Sequence, residues 1–260
     1  MASRRSSITP ARRPARRSVR EVRFSCDGKG IKTTMSSAVI HRGGDAQIAG
    51  RTQGSLCVNI GCGISAPEGW YNIDNSPTIW ISRIPFARRL LRTPAWPRNV
   101  HRHNVLKGLP FADESVDCIY SSHTFEHFTF AQSLSLAKEC RRVLKLGGTL
   151  RLVVPDLERL VRDYLADSAP LASHRLIERL LLGHTWQDML HPGAHHSQMF
   201  DARSLVSMLS EAGFIDPKVS QFGVSLIPNV LAVESEQRRR ESLYVEAEKQ
   251  AAGMELSRSA

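Results

Sequence analysis

The stretch SLCVNIGCGIS, residues 55–65, joins a short apolar run to a glycine-rich turn. Residues 56–60 are apolar at four of five positions, which is typical of a buried strand in a parallel sheet. Gly61-Cys62-Gly63 follows directly and predicts a tight turn. Because glycine has no Cβ, the backbone of this turn can approach a ligand closely. The stretch therefore predicts a strand that leads into a ligand-binding turn.

The rest of the chain alternates strand-like and helix-like segments, which favours an α/β fold. We predict a Rossmann-like, open, mainly parallel seven-stranded sheet with helices on both faces. Ligands of such sheets bind beyond the carboxyl ends of the strands, so the candidate positions are 61–63, 74, 104 and 121–123. Further strands are predicted at 70–74, 100–104, 116–123, 149–155, 218–223 and 242–247. Helices are predicted at 130–145, ended by Gly147-Gly148, at 157–165 with Asp156 as its cap, at 172–183, and after Asp201, which caps the last one.

The formal net charge of +10 is concentrated at the N-terminus. Seven arginines and no acidic residue lie in residues 1–20, which leaves only +3 for the rest of the chain. A nucleic-acid partner is therefore not predicted, since a folded domain that binds nucleic acid carries the basic patch itself. Residues 1–50 are predicted to form a basic, disordered arm, residues 51–250 the folded domain and residues 251–260 a flexible tail. The sequence leaves open whether translation starts at Met1 or Met35.

The five cysteines include no CxxC pair. They are predicted to be small, reduced residues in a cytoplasmic protein. No apolar run approaches the roughly 18 residues that are needed to span a bilayer. In residues 81–92, apolar side chains alternate with arginines. This pattern predicts either a surface insertion that packs its apolar side on the domain or a weak contact with a membrane surface.

The glycine turn formally matches the dinucleotide fingerprint GxGxx[GA]. Two features argue against a pyrophosphate ligand. Pro67 and Gly69 leave no room for a helix at the turn, and Asp74 follows Gly61 by 13 residues rather than the roughly 20 that are expected of a nicotinamide site. A ligand that has a ribose but no pyrophosphate fits better, because a carboxylate at the end of a strand can accept both ribose hydroxyls. The alternative for Asp74 is a solvated turn residue or a helix cap.

Four longer stretches carry a family resemblance when they are read in order: VNIGCG, GWYNID, LPFADESVDCIYSSHTFEHF and ECRRVLKLGGTLRLVVPDLERL. Together they resemble class I S-adenosylmethionine-dependent methyltransferases. More narrowly, they resemble a group of small bacterial predicted methyltransferases whose genes often lie among those for cell-surface sugars. The resemblance covers roughly residues 55–248 and implies S-adenosylmethionine as the cofactor.

The resemblance also implies roles for individual residues. The glycine turn would cradle the amino-acid end of the cofactor, and Asp74 would hold the ribose hydroxyls. The residues after the third strand would flank the adenine, and the end of the fourth strand would line the space near the methionine part. The predicted cofactor-binding residues are Asn59, Gly61, Cys62, Gly63, Asp74, Asn104, Val105, Ser121, Ser122 and His123. Three positions depart from the family pattern. Asn59 stands where many members have an acid that reaches the cofactor's amino group. Ser65 replaces the third glycine of the common motif, and Asn104 replaces the usual aspartate.

Histidines supply the remaining candidates. His123 ends the fourth strand and is the candidate to accept a proton from the acceptor. The pair Glu126-His127 either faces the cofactor or begins a helix. His184, His191, His195 and His196 lie in or beside the segment HPGAHHSQMFD, which predicts a loop over the acceptor site or a plain surface loop. No metal site is predicted there, because Pro192-Gly193 breaks a helical face and no nearby Cys or acid completes a ligand set.

The sequence thus predicts a methyltransferase that transfers the methyl group directly to a small-molecule or surface-sugar-type acceptor. A non-catalytic binding protein that keeps the fold is one alternative, and a nicotinamide-dependent oxidoreductase is another. The oligomeric state and the methylated atom are not readable from the sequence.

Overall fold

The computed structural model describes residues 54–84, 86, 90, 95–181 and 195–250. The predicted arm and tail, both candidate start residues, His184, His191 and most of the arginines of residues 81–92 lie outside the described residues. The strands are β1 Cys57–Ile60, β2 Trp70–Asp74, β3 Val100–Arg102, β4 Val116–Ser122, β5 Leu144–Pro155, β6 Ile215–Ser220 and β7 Ser242–Glu248, and the α-helices are α1 Thr78–Ser82, α2 Phe130–Val143, α3 Leu157–Ala166, α4 Ala172–Leu181 and α5 Ala202–Glu211.

The seven strands form one sheet in the order β3-β2-β1-β4-β5-β7-β6. The first five strands are parallel to their neighbours, and β7 pairs antiparallel with both β5 and β6. The predicted open, mainly parallel, Rossmann-like sheet is confirmed. The strand order reverses between β1 and β4, so their carboxyl ends flank the crevice where ligands of such sheets bind.

One face of the sheet is covered by the long helices α2 and α5. Alternate strand residues such as Val58 and Ile60 pack there with Leu136 and Leu209 in the main core. The opposite face carries α1, whose Ile79 packs on Val100, and a segment of residues 221–241 with two 3₁₀ turns. Helices therefore lie on both faces, as predicted, and among the described residues the second face carries the short helix α1 together with residues 221–241.

A buried ion network holds residues 221–234 against that second face. The Arg151 guanidinium is fully buried in β5 and pairs with Glu234 at 2.6 Å and with Glu246 at 3.2 Å. It also donates to the main-chain oxygens of Gln221 and Val224. Removing one member would leave uncompensated charge in the interior, which costs several kcal/mol.

Two of the five cysteines are not reduced. Cys57 of β1 and Cys118 of β4 are strand neighbours with Cα atoms 4.6 Å apart, and they form a disulfide. The prediction that all the cysteines are reduced is wrong, because it considered spacing along the chain and not register across the sheet. Cys62 and Cys140 are free and buried.

Several predicted element boundaries also shift. The helix predicted to run to residue 145 ends at Val143, and β5 begins at Leu144 and continues through the two glycines that were expected to stop the helix. The apolar stripe of α3 is buried only at Leu160. Capping of α3 by Asp156 and of α5 by Asp201 is confirmed.

The basic segment around residues 81–92 exposes apolar side chains where it is described. Ile84, Phe86 and Leu90 are all more than half exposed. The expectation that this segment packs its apolar side on the domain is wrong for these three residues. Among the described residues, no helix is both long and apolar enough to cross a membrane.

Candidate cofactor site

The glycine turn adopts a conformation that glycine alone accommodates readily. Gly61 has φ of +67°, and a Cβ built there would lie 1.9 Å from Thr124 Oγ1, in the loop after β4. The main-chain N–H groups of Gly61 and Cys62 both donate to the Ile73 carbonyl of β2. Gly63 has φ of +54° and faces open space. The turn is therefore packed against its neighbours at Gly61 and open at Gly63.

Asp74 connects the glycine turn to the end of β2. Its Oδ2 accepts the N–H of Gly63 at 2.9 Å, and its Oδ1 accepts the N–H of Ser76 at 2.8 Å. A carboxylate has about four lone-pair positions, so each oxygen keeps capacity for a ribose hydroxyl. The turn-residue alternative and the ribose prediction are both compatible with this geometry, since the two main-chain bonds fix the carboxylate beside the turn.

Two asparagine side chains of β1 and β2 form hydrogen bonds with the loop that follows the glycine turn. Asn59 is 3 % exposed and donates to the Ser65 carbonyl and to Asn72 Oδ1. Asn72 is fully buried and donates to the carbonyls of Pro67 and Trp70. Asn59 thus braces the loop that follows the turn, and its predicted contact with the cofactor stays a prediction. Sequence analysis missed Asn72, for which the only signal is a polar residue inside the strand WYNID.

The other predicted contacts are less accessible. Ser121 is 1 % exposed, and its hydroxyl donates to the Ile60 carbonyl. Val105 belongs to the main core, and the Asn104 side chain accepts the N–H of Leu106 at the start of a 3₁₀ turn. Burial raises the pKa of Cys62 to about 12, so this residue is a thiol. Ser121, Val105 and Cys62 are therefore buried, Asn104 forms a helix-cap bond, and the predicted cofactor contacts of all four stay predictions.

His123 follows Ser122 at the end of β4 and has φ of +49°. Its Nε2 lies 2.9 Å from Ser242 Oγ, and its Nδ1 lies 3.4 Å from Glu126 Oε1. Burial, followed by the charges of Arg238 and of nearby histidines, lowers the pKa of His123 to about 3. The ring is therefore neutral, and it is a weaker base than an exposed histidine.

Glu126 is a buried carboxyl group beside His123. It is 1 % exposed, and neither carboxylate oxygen has a hydrogen-bond partner. Burial raises the pKa of Glu126 to about 8. Its side chain lies near those of His127 and His196, with the candidate ligand atoms of the three residues within 4.8 Å of one another. The sequence singled out Glu126 beside His127 but did not predict that it lies near His196, which is 70 residues further along the chain.

The described end of the histidine-rich segment docks on the Phe125–His127 turn. The N–H groups of Ser197 and Gln198 donate to the Glu126 carbonyl, and the Gln198 amide donates to Ser133 Oγ. His127 Nδ1 lies 3.2 Å from the His195 carbonyl. This part of the predicted loop therefore packs on the turn that follows β4 and on the first residues of α2.

Comparisons with known proteins agree with this architecture. Residues 58–152 match the family model described as a methyltransferase domain. No curated protein matches the sequence. A methyltransferase of Thermotoga maritima that depends on S-adenosylmethionine is 20% identical with a TM-score of 0.46, over 76% of this chain and 84% of that one.

Two further solved structures are similar at the same level. A methyltransferase of Archaeoglobus fulgidus that depends on S-adenosylmethionine is 14% identical, with a TM-score of 0.42 over 76% of this chain and 87% of that one. Geranyl diphosphate C-methyltransferase of Streptomyces coelicolor is also 14% identical, with a TM-score of 0.42 over 75% of this chain and 71% of that one. TM-scores below 0.5 are too low to decide function.

The family match spans β1 to β4 and most of β5, the strands whose carboxyl ends carry the glycine turn, Asp74 and His123. The narrower resemblance to the small bacterial group stays a prediction. The broader resemblance is confirmed to this extent: residues 58–152 match a methyltransferase domain, which is the domain that the resemblance to class I S-adenosylmethionine-dependent methyltransferases implies.

Proposed function

We propose that the protein binds S-adenosylmethionine at the carboxyl ends of β1, β2 and β4 and transfers its methyl group to a small-molecule acceptor. The observation that carries the proposal is the bond between Gly63 N–H and Asp74 Oδ2. It joins an open glycine turn to a fixed carboxylate at the point where the strand order reverses. A surface-sugar-type acceptor is the expectation that the family resemblance implies.

The described residues would act by binding and orientation. When bound, S-adenosylmethionine supplies a methyl group that is already activated for in-line displacement. The main-chain groups of the glycine turn would hold the amino-acid end, and Asp74 would accept the ribose hydroxyls. Because alignment of two reactants lowers the barrier strongly, this positioning is the main contribution that we assign to the protein.

His123 is a poor candidate for the general base. A base works best when its pKa lies near the working pH, whereas the pKa of His123 is lowered to about 3. We instead assign His123 a positioning role at the end of β4, where its ring joins Glu126 to Ser242 of β7.

The nicotinamide alternative loses support from the turn. In the described residues 61–77, no helix starts, and α1 begins only at Thr78. A pyrophosphate ligand would lack the helix N-terminus on which it normally sits. The non-catalytic alternative keeps its basis in Asn59, Ser65 and Asn104, and only binding measurements separate it from the enzyme.

Calorimetric titration with S-adenosylmethionine, its demethylated product and NADH tests the proposal. We expect micromolar binding of the first two and none of NADH. Asp74→Asn should weaken that binding by tenfold or more, because the amide presents an N–H₂ group where the ribose hydroxyls need acceptors. Asp163→Asn, on the exposed surface of α3, is the matched control.

Several outcomes of that titration are decisive. Tighter binding of NADH than of the methyl donor would favour the oxidoreductase alternative. Folded protein that binds none of the three ligands would favour the non-catalytic alternative.

The proposal also concerns the interaction partners and the cellular location of the protein. Exposed Ile84, Phe86 and Leu90 support a weak contact of residues 81–92 with a membrane surface. A nucleic-acid partner stays unexpected. A cytoplasmic location stays a prediction as well, and the Cys57–Cys118 disulfide weighs against it, because such bonds are rare in reducing compartments.

A further inference from the structure

The cluster of Glu126, His127 and His196 has a donor set that no assigned function uses. One carboxylate and two imidazoles are brought within 4.8 Å of one another. They come from two separate parts of the chain, the 3₁₀ turn after β4 and the segment that docks on it. Two histidines with one glutamate form a known ligand set of zinc sites that keep one coordination position open.

The first observation that points to a cation is the unpartnered carboxylate. Both oxygens of Glu126 are buried and without a hydrogen-bond partner, and they are the only such side-chain atoms among the described residues. Leaving a buried polar group unpaired costs about 1–3 kcal/mol, and more if it is charged. A cation bound to the carboxylate would remove this cost.

The second observation is the tautomer of His127. Its Nδ1 lies 3.2 Å from the His195 carbonyl oxygen, and a carbonyl can only accept a hydrogen bond. Nδ1 therefore carries the proton, and in the neutral ring the lone pair lies on Nε2. A hydrogen bond from the second ring nitrogen to a carbonyl is the usual way in which a metal-binding histidine is oriented.

The third observation is the contact between His123 and Glu126. The hydroxyl of Ser242 donates to the Arg238 carbonyl, so it accepts from His123 Nε2 and leaves the lone pair of the neutral ring on Nδ1. The His123 Nδ1 atom that carries this lone pair lies 3.4 Å from Glu126 Oε1. Two electron-rich atoms at this distance repel each other unless a proton or a cation lies between them. In a tetrahedral zinc site with bonds of about 2.0–2.1 Å, donor atoms lie about 3.3 Å apart.

We propose that Glu126, His127 and His196 bind one divalent transition-metal ion of the zinc class, with His123 beside it as a candidate fourth ligand. The site would lie at the carboxyl end of β4, next to the proposed cofactor site but independent of it. If the proposed methyltransferase function holds, a metal held by Glu126, His127 and His196 alone would keep one position open, which an oxygen atom of the acceptor could take in place of His123.

The test uses the full chain after removal of metals with a chelator. Titration with Zn²⁺ is expected to show one equivalent bound. Titration with Co²⁺ is expected to give the intense visible bands of a tetrahedral site without a thiolate charge-transfer band. Glu126→Gln and His196→Ala should each weaken Zn²⁺ binding by tenfold or more. His174→Ala, an exposed histidine of α4 that lies beside Glu178, should leave it unchanged.

Each alternative result overturns the proposal. A thiolate band would place the metal on a cysteine and not on this cluster. Unchanged binding in Glu126→Gln would place it elsewhere in the chain. No binding by protein with an intact circular-dichroism spectrum would mean that Glu126 is simply protonated.

Titration of the same metal-free protein with S-adenosylmethionine keeps the two proposals apart. Zinc binding without binding of the methyl donor supports the metal site and contradicts the proposed function. Binding of the methyl donor without zinc binding does the reverse.

Discussion

The glycine turn depends on one residue that has no alternative. Gly61 has a positive φ, and the Thr124 hydroxyl lies 1.9 Å from the position that a Cβ would take. A substitution would therefore cause both backbone strain and steric overlap. Gly69 has φ of +83° but open space around its Cβ position. The chain therefore contains a matched pair of glycines that separates backbone strain from steric overlap.

We predict that Gly61→Ala lowers the free energy of unfolding by about 2–4 kcal/mol, of which roughly 1–2 kcal/mol is the left-handed conformation. Gly69→Ala should lose only the conformational part. Urea unfolding of both variants measures the difference. Equal losses would mean that the loop after β4 does not press on the turn.

At the scale of an element, the capping box at the start of α5 stabilises the helix through residues that are close together in the sequence. The Asp201 carboxylate accepts the N–H of Ser204 at 2.8 Å, and the Ser204 hydroxyl oxygen accepts the N–H of Asp201. The hydrogen bond from the Ser204 N–H, followed by that from the Ser204 side chain, lowers the pKa of Asp201 to about 2. A carboxyl group whose pKa is depressed in the folded state stabilises it above the unfolded pKa and loses that effect as the pH falls.

We predict that Asp201→Ala destabilises the protein by about 1 kcal/mol at neutral pH. The difference between wild type and Asp201→Asn, which caps without titrating, should shrink as the pH falls from about 4 towards about 2. Thermal unfolding across this range measures it. A difference that is independent of pH would show that the charge of Asp201 contributes nothing to the cap.

The disulfide acts at the scale of the whole molecule. It closes a loop with a sequence separation of 61 residues, which contains the glycine turn, β2 with Asp74 at its end, α1 and β3. Closing a loop of this length reduces the freedom of the unfolded chain and stabilises the fold by about 4 kcal/mol in the chain-entropy model. Formation of the bond would therefore matter more for stability than any single hydrogen bond at the site.

We predict that reduction of the Cys57–Cys118 bond lowers the free energy of unfolding by about 2–4 kcal/mol. Urea unfolding with and without reductant measures this effect, and the Cys57→Ala/Cys118→Ala double variant should not respond to the reductant. Alkylation of the unfolded protein, before and after reduction, counts the thiols, because all four described cysteines are buried in the native state. Two additional thiols after reduction are expected, and no increase would mean that both cysteines are reduced in the isolated protein.

Local pattern was sufficient for much of this structure. The run at residues 56–60, the glycines after it and the caps at Asp156 and Asp201 were all predicted, because each depends on neighbours within a few residues. The order of strands and helices followed from the same periodicities. The β-strand that replaces the end of the helix near Leu144 was missed, since its partner Val116 is distant in sequence.

The sequence by itself determined the α/β class, the glycine turn and the position of Asp74 at the end of the next strand. Each of these features depends on residues that are close together in the sequence. Only the tertiary structure decided that Cys57 meets Cys118, that Asn72 supports the turn and that Glu126 lies beside His196. Each of those contacts depends on strand register or on a loop docking from far along the chain. Such long-range contacts arise from packing of the whole sheet, and no short segment specifies them.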